Sequence, residues 1–450
     1  MDDVIANADA QLRAVYAGRA IVLVGDVAAG ATPRVNALRA LGAERILVVA
    51  TGRGTGLLPD AELHVHELPV AENMVASFRL EEQLFAAPPP EVMDAIAAFD
   101  PDRTALILAP PFFDVRSIGD RELFGPRRSE WVALEDKTRN DELFDAADVP
   151  HPPATVVAFD PAALLRAAAE LDTGEGTVWA GDARDGFNGG GVFVRWVRDA
   201  DDRDEAFGFF SSRCDRVRVA PFVEGIPCSI HGFVTGSGVA AFRPVELVTL
   251  RSRTIPHLRY CGCATYFDPL SADAEAMQSH VRSVGALLRD AVAFRGGFTL
   301  DGILSDQGWV ATECNPRLGA ALGYVNRLQP SLSMALLNHA VVAGLADVSS
   351  VALETAIVEG ARRERWGGAW SVVPRPTQTE EHATYNGADV TYGPGSTGGF
   401  VNIKFDPATT PAGPPVAPRA AAALAWADEH WSLGIGPLEP ADAVRSASAA

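Results

Sequence analysis

Lysine is almost missing from this chain of 450 residues: only Lys137 and Lys404 occur, so arginine supplies the other 36 of its 38 basic side chains. Arginine stands wherever a generic positive charge suffices, which singles out the two lysines as candidates for a task suited to a compact ammonium and not to a planar guanidinium. Basic charge as a whole is also short. Against 58 acidic residues it leaves a net charge of −20, which repels nucleic-acid backbones and anionic lipid surfaces, so no nucleic-acid partner is expected. The five cysteines, at 214, 228, 261, 263 and 314, are odd in number and scattered. They read as buried thiols rather than a secreted disulfide framework, and Cys261-x-Cys263 lacks a second pair at zinc spacing. No apolar run reaches the roughly 18 residues of a membrane span, and Met1-Asp2-Asp3 lacks the positive start of a signal peptide. A cytoplasmic protein with no membrane partner is expected. With 48% hydrophobic and 21% charged residues, the composition is that of a globular chain, long enough at about 150 residues per domain for two to four packed units.

The first segment alternates strands and helices: Arg19 to Gly25 reads as a strand, Thr32 to Leu41 as a helix, Arg45 to Ala50 and Thr104 to Ala109 as further strands. This is a parallel α/β pattern, ending near residue 125. Its glycines, 25, 30, 52, 54 and 56, fall at strand ends where such sheets bind ligands. They do not spell G-x-G-x-x-G, and tight turns explain them equally well. From Trp131 the pattern changes to a helix over about Glu135 to Ala147, stopped by Val149-Pro150-His151-Pro152-Pro153. A strand at Thr177 to Ala180 leads into the loop Asp185-Gly186-Phe187-Asn188-Gly189-Gly190-Gly191. Strand-like runs at 217–223, 228–234, 239–250 and 299–304, with helices over about 274–294 and 331–343, indicate α+β architecture with antiparallel sheets. After Ser350 come short strands at 369–373 and 399–405, a proline-rich linker and a final helix through Trp431.

The sharpest local signal is Thr299-Leu-Asp301-Gly-Ile-Leu-Ser-Asp-Gln-Gly308-Trp-Val-Ala-Thr-Glu313-Cys-Asn315-Pro316-Arg317. A three-residue turn, Asp306-Gln307-Gly308, makes this a hairpin in which Ser305 faces Trp309. Counting back, Asp301 lies opposite Glu313, and period-two alternation puts Asn315 on the same face. Facing carboxylates repel unless a proton or cation intervenes, and a divalent cation with oxygen ligands, most simply Mg²⁺, resolves that repulsion. A solvated acidic hairpin face is the plainer reading.

In this pattern the sequence resembles the ATP-grasp superfamily, whose carboxylate pair on adjacent antiparallel strands, followed by Asn and Arg, binds the metals bridging ATP phosphates. Further matches follow the expected order: Asp136-Lys137 at a helix start, Val149-Pro150 and His151-Pro152-Pro153, the glycine-rich loop, and Val219-Ala-Pro-Phe222-Val-Glu224-Gly225. The resemblance covers about residues 130 to 345. It implies an α/β and α+β multidomain fold: a Rossmann-like domain preceding the grasp (1–125), an ATP-grasp N-terminal subdomain (126–212), a C-terminal subdomain with the metal site (213–345) and a C-terminal extension (346–450). It implies metal ligation by Asp301, Glu313 and Asn315, with Mg²⁺ or Mn²⁺ as the ion, and Arg317 on the acyl phosphate. It implies ATP contacts from Lys137, Gly189, Gly190, Val219, Phe222 and Glu224. Lys137 otherwise makes an ordinary helix pair with Asp141. The family's usual second lysine is absent from Val178-Trp179-Ala180-Gly181-Asp182, leaving Arg184, Arg195 or Lys404 as replacements.

Arg243, Glu246, Arg251 and Arg253 lie on or after a strand that borders the acceptor site in similar proteins, and Phe400, Asn402 and Lys404 share one strand face. The implied activity is ATP-dependent amide or peptide bond formation between a small carboxylic acid or amino acid and an amine, through an acyl phosphate with release of ADP. Homodimerisation is a habit of the family. The competing readings are a small-molecule kinase, a carboxylase, for which no biotinyl-carrier segment is visible, and a degenerate nucleotide-binding protein.

Overall fold

The computed structural model describes residues 2–25, 27–182, 184, 189–252, 254–322 and 332–443; residues 185–188 of the glycine-rich loop and Arg253 lie outside them. The first sheet is parallel, in the order Glu62–Val65, Arg45–Ala50, Ala20–Val24, Leu106–Leu108. Three of its strands are nearly continuous in apolar residues, as a sheet covered on both faces requires, while Glu62–Val65 at the edge is largely exposed. The second sheet is antiparallel, in the order Thr155–Ala158, Arg216–Pro221, Thr177–Gly181, Val194–Val197.

The third sheet has eleven strands. It begins at the hairpin of Gly308–Asn315 and Gly296–Ser305, continues through Ile226–Val234, Val245–Ser252 and Leu258–Ala264, and runs on into Gly367–Val373, Gly398–Phe405, Ala388–Gly395 and Glu381–Tyr385. The C-terminal hundred residues therefore extend the same sheet, through antiparallel pairing of Gly262 with Ala369 and Cys263 with Gly368. The run expected as one strand over 239–250 is two, Val239–Ala241 and Val245–Ser252, because Pro244 between them has no N–H to give a ladder.

Strand alternation sorts this sheet into two faces. Phe298, Leu300, Val248 and Leu250 are buried in a core with the helix Ser271–Val292 and the final helix Ala417–Trp431. Thr299, Asp301 and Ser229 occupy the other face. The helix Met334–Val342 joins the core of the first sheet, through Leu336 and Leu337, and packs on Gly296–Ser305, so the first sheet is seated beside the foot of the strand carrying Asp301. All five cysteines are buried, and none of them forms a disulfide. Among the described residues no helix is long and apolar enough to cross a membrane.

Candidate functional site

The hairpin differs from expectation at its turn and agrees at its base. Ser305 pairs with Gly308 and Leu304 with Trp309, one residue tighter than a three-residue turn gives. Thr312 is then an extra residue: the register shifts between Gly302, opposite Ala311, and Asp301, opposite Glu313. This bulge restores the facing carboxylates. Gly308–Asn315 is an edge strand, and its irregular backbone is covered. Asn140 Nδ2 donates to Thr312 O at 3.3 Å, Cys314 N donates to Asn140 Oδ1 at 3.3 Å, and Ala311 N donates to Pro150 O at 2.8 Å. An exposed edge is thus satisfied by a neighbouring segment.

That docking presents Lys137. The helix expected over about 135–147 is broken: Asp136, in extended conformation, caps a 3₁₀ turn at Lys137–Arg139 through Thr138 N at 2.9 Å, and the α-helix is Asn140–Ala146. Lys137, 5% exposed, pairs its Nζ with Glu313 Oε1. Asp141 is engaged instead by Arg218, whose Nη2 lies 2.6 Å from Oδ1, so the ordinary helix pair does not form. Asp301 accepts hydrogen bonds from Ser229 Oγ and, at 3.0 Å, from Asn315 Nδ2. Arg317 Nη2 donates to Asn315 Oδ1 at 3.0 Å, and its Nε lies 2.8 Å from Glu135 Oε1. Burial, and then the facing Glu313, push the Asp301 carboxyl up to about 6. Two carboxylates and an amide oxygen are hard oxygen donors suited to Mg²⁺. Among the described residues no group of three or more His, Cys, Asp or Glu that could hold a metal ion comes together, so any cation here would take only part of its ligands from these side chains.

No protein-family model and no curated protein matches the sequence. Solved structures do match in fold. The biotin carboxylase of Campylobacter jejuni, as its β-γ-ATP complex, is 12% identical over 91% of each chain, with a TM-score of 0.59. The biotin carboxylase domain of the Hydrogenobacter thermophilus 2-oxoglutarate carboxylase, with MgADP, ADP and bicarbonate, is 14% identical over 86% of each chain, with a TM-score of 0.55. An N5-carboxyaminoimidazole ribonucleotide synthetase in its ADP complex is 14% identical over 92% of this chain and 98% of its own, with a TM-score of 0.52. The chain has the ATP-grasp fold. At such identities the likeness is one of fold alone.

On this ATP-grasp framework the other expected residues fall into separate places. Val219 is fully buried and paired on both sides, with Thr155 and Trp179. The pairing with Thr155–Ala158 ends there, so Ala220 and Pro221 have no strand partner on that side. Phe222 stacks on Trp196 at 4.2 Å, and Arg251 lies over both rings while its Nη2 sits 2.7 Å from Glu224 Oε1. Glu224, expected at the nucleotide, and Arg251, expected beside the acceptor site, are one ion pair. Gly190 and Gly191 have φ of +65° and +74°, and a Cβ on Gly191 would meet Leu258 O at 2.8 Å. Gly189 is buried and Gly190 exposed beside them.

Three expectations about substrate contacts change. Glu246 is fully buried, and its two oxygens accept Val416 N at 2.7 Å and Ala417 N at 2.9 Å; it caps the final helix. Arg243 is held by Asp268 at 2.5 Å and Phe267 O at 2.9 Å, on the wall of a cavity of about 480 Å³ shared with His231, Tyr266 and Trp366. Lys404 is exposed on a central strand, opposite Gly368 and Asp389, five strand spacings from Asp301, about 24 Å across the sheet. Nor do the arginines replace the absent lysine. Arg195 is buried against Glu205 at 2.8 Å and Arg184 pairs with Asp215 at 2.9 Å. The cation opposite Ala180 is Arg218. Ser229, Arg218 and Glu135 went unread in the sequence because their partners lie 72, 77 and 182 residues away.

Proposed function

We propose that the chain is an ATP-dependent ligase, acting in a cytoplasm, that joins a carboxylic acid or amino acid to an amine with release of ADP and phosphate. The observation that carries this reading is the convergence of Asp301, Glu313, Asn315, Lys137 and Arg317 on one sheet face of an ATP-grasp fold. Such a face offers oxygen donors for a cation, flanked by two fixed positive groups. Bound Mg²⁺, or Mn²⁺, would be held by Asp301, Glu313 and Asn315 and would neutralise phosphate charge. Lys137, released from Glu313, holds phosphate oxygens as a point charge. Gly189 and Gly190 bring backbone N–H groups close to the phosphates. Phe222 gives the base an apolar wall, the backbone after Val219 offers it hydrogen bonds, and Glu224 accepts a ribose hydroxyl. The domain division is at about residues 125, 212 and 345.

Arg317 orients the acid so that one carboxylate oxygen attacks the γ-phosphorus and ADP departs. The amine then attacks the carbonyl carbon of the acyl phosphate; the C–O bond to phosphate breaks, and the amine's proton leaves with it. The cavity bordered by Arg243 is the proposed entry for one substrate, while Arg251, paired with Glu224, stands beside the Phe222 wall. The test is ADP and phosphate release from MgATP with pooled amino acids, short peptides and small carboxylic acids, with the mass of each product measured. Release that needs both an acid and an amine, with a condensed product, is expected. Release with one acid alone makes the chain a kinase, release that needs bicarbonate makes it a carboxylase, and ATP binding without release makes it a non-catalytic nucleotide binder.

A further inference from the structure

A second, smaller cavity is bordered by Arg317. It measures about 20 Å³, and its wall includes Pro110, Arg127, Trp131, Arg295, Arg317 and His339. Two of its arginines belong to no motif. Arg127 sits in the segment that leaves the first sheet and is 8% exposed. Its Nη1 donates to Pro111 O at 3.2 Å and lies 3.2 Å from Glu135 Oε1, while its Nε and Nη2 are buried with no hydrogen-bond partner. Arg295 stands just before the strand Gly296–Ser305. Its Nη1 is likewise buried and unpartnered, and no carboxylate among the described residues pairs with it.

Both backbones are held firmly. At Gly125, φ +60°, a Cβ would meet His339 O at 2.3 Å, and at Gly296, φ +96°, a Cβ would meet Asn338 Oδ1 at 2.3 Å. The helix Met334–Val342 thus clamps both arginine-bearing segments against itself. His339 adds no charge near neutrality, since burial pushes it down to about 4. Among the described residues Glu135 is the one carboxylate within ion-pair distance of Arg127, and it is shared with Arg317. Arg295 lines the same partly open cavity as these two.

Buried N–H groups of a guanidinium left without an acceptor are costly, and convergent ones mark a place where an anion completes the structure. A guanidinium fork matches a carboxylate in two-pronged contact. The space, about 20 Å³ and partly open, is of the order of one water molecule, which favours a small planar carboxylate over a bulkier tetrahedral anion. Pro110 follows the strand Leu106–Leu108, so the cavity lies at the carboxyl end of the first sheet, where α/β sheets receive ligands.

We propose that Arg127 and Arg295 form a carboxylate-binding subsite beside Arg317, and that it holds a carboxylate of a substrate that does not itself react. That group is either the α-carboxylate of an amino-acid amine or the second carboxylate of a diacid. Its assignment to a substrate rests on the ligase reading; the anion site itself does not.

Formate is the probe, titrated by calorimetry into the full chain and into Arg127→Gln and Arg295→Gln, with MgATP titrated in parallel. Formate is expected to bind one to one, about tenfold or more weaker in either variant, and more tightly than sulfate, while MgATP binds all three proteins alike. Equal formate binding in wild type and both variants, or none in the wild type, overturns the subsite. Sulfate binding as well as formate overturns its assignment to a carboxylate. Where Arg127→Gln does not fold, the less buried Arg295→Gln decides. Glycine or succinate displacing formate identifies the source of the carboxylate, and displacement by neither overturns the substrate assignment. Intact formate binding without MgATP binding contradicts the ligase reading alone.

Discussion

Replacing Asp301 by asparagine is expected to stabilise the ligand-free chain while ending ATP turnover. Burial and the facing Glu313 push this carboxyl from 3.8 up to about 6, and each pKa unit corresponds to 1.36 kcal/mol, so keeping it ionised costs the fold about 3 kcal/mol. The sign follows from linkage. An acid with a raised folded-state pKa binds its proton more tightly folded than unfolded, so the penalty is absent below pH 3.8, grows between 3.8 and about 6, and is complete above. Asparagine removes the charge and keeps the shape, and Ser229 Oγ still has an oxygen to donate to. Its amide nitrogen, however, faces Asn315 Nδ2, which now donates to Asp301 Oδ2 at 3.0 Å; losing that bond returns about 1 kcal/mol. The net gain is about 2 kcal/mol at pH 8; it falls through zero and reverses towards pH 4, where the penalty has gone and the lost hydrogen bond remains. Urea unfolding of both proteins across that range measures it. A variant less stable than wild type at pH 8 would refute the reasoning, because Lys137 and Arg317 would then overcompensate the buried charge.

Glu313→Ala should abolish turnover and leave the circular dichroism of the native chain; retention of most activity would sink the metal assignment. Glu246→Ala strips the cap of the final helix and leaves two buried N–H groups unpaired, so a loss of about 2–4 kcal/mol is expected, read by urea unfolding, with turnover retained in the folded fraction. Lost turnover at unchanged stability would put Glu246 back in the substrate site. Lys137→Arg keeps the charge but not the compact ammonium, and a rise in KM for ATP of about tenfold, one charge-assisted hydrogen bond's worth, is expected without a change in unfolding midpoint. An unchanged KM would mean that the scarcity of lysine carries no information about this position.

The hairpin was readable because its logic is local: alternation and one glycine turn place Asp301 against Glu313 within twelve residues. Even so, the expected turn was one residue too long and the bulge at Thr312 went unseen, and the two errors cancelled. Bulges depend on what covers the edge, here Asn140 and Pro150 from another segment, and no pattern inside the strand announces them. Lys137 was legible through its rarity, whereas its partner was not, because Asp141 at i+4 looked sufficient until Arg218 claimed it. Glu246 misled for the converse reason. On a strand of alternating character it reads as a cleft residue, and only the fold brings the start of the final helix onto it. Arg127 and Arg295 carry no motif at all. Their significance lies in buried guanidinium N–H groups that no described residue accepts, and an absence of acceptors becomes visible only in three dimensions.

The most direct test of the ligase reading follows the carboxylate oxygen. With the acid and amine that support turnover in hand, the acid is labelled with ¹⁸O in its carboxylate and the released phosphate is analysed by mass. Attack of that oxygen on the γ-phosphorus leaves one carboxylate oxygen bridging the acyl phosphate, so phosphate released by the amine must carry one ¹⁸O. Phosphate free of label, formed at the same rate as the condensed product, would contradict the acyl-phosphate route and with it the role given to Arg317.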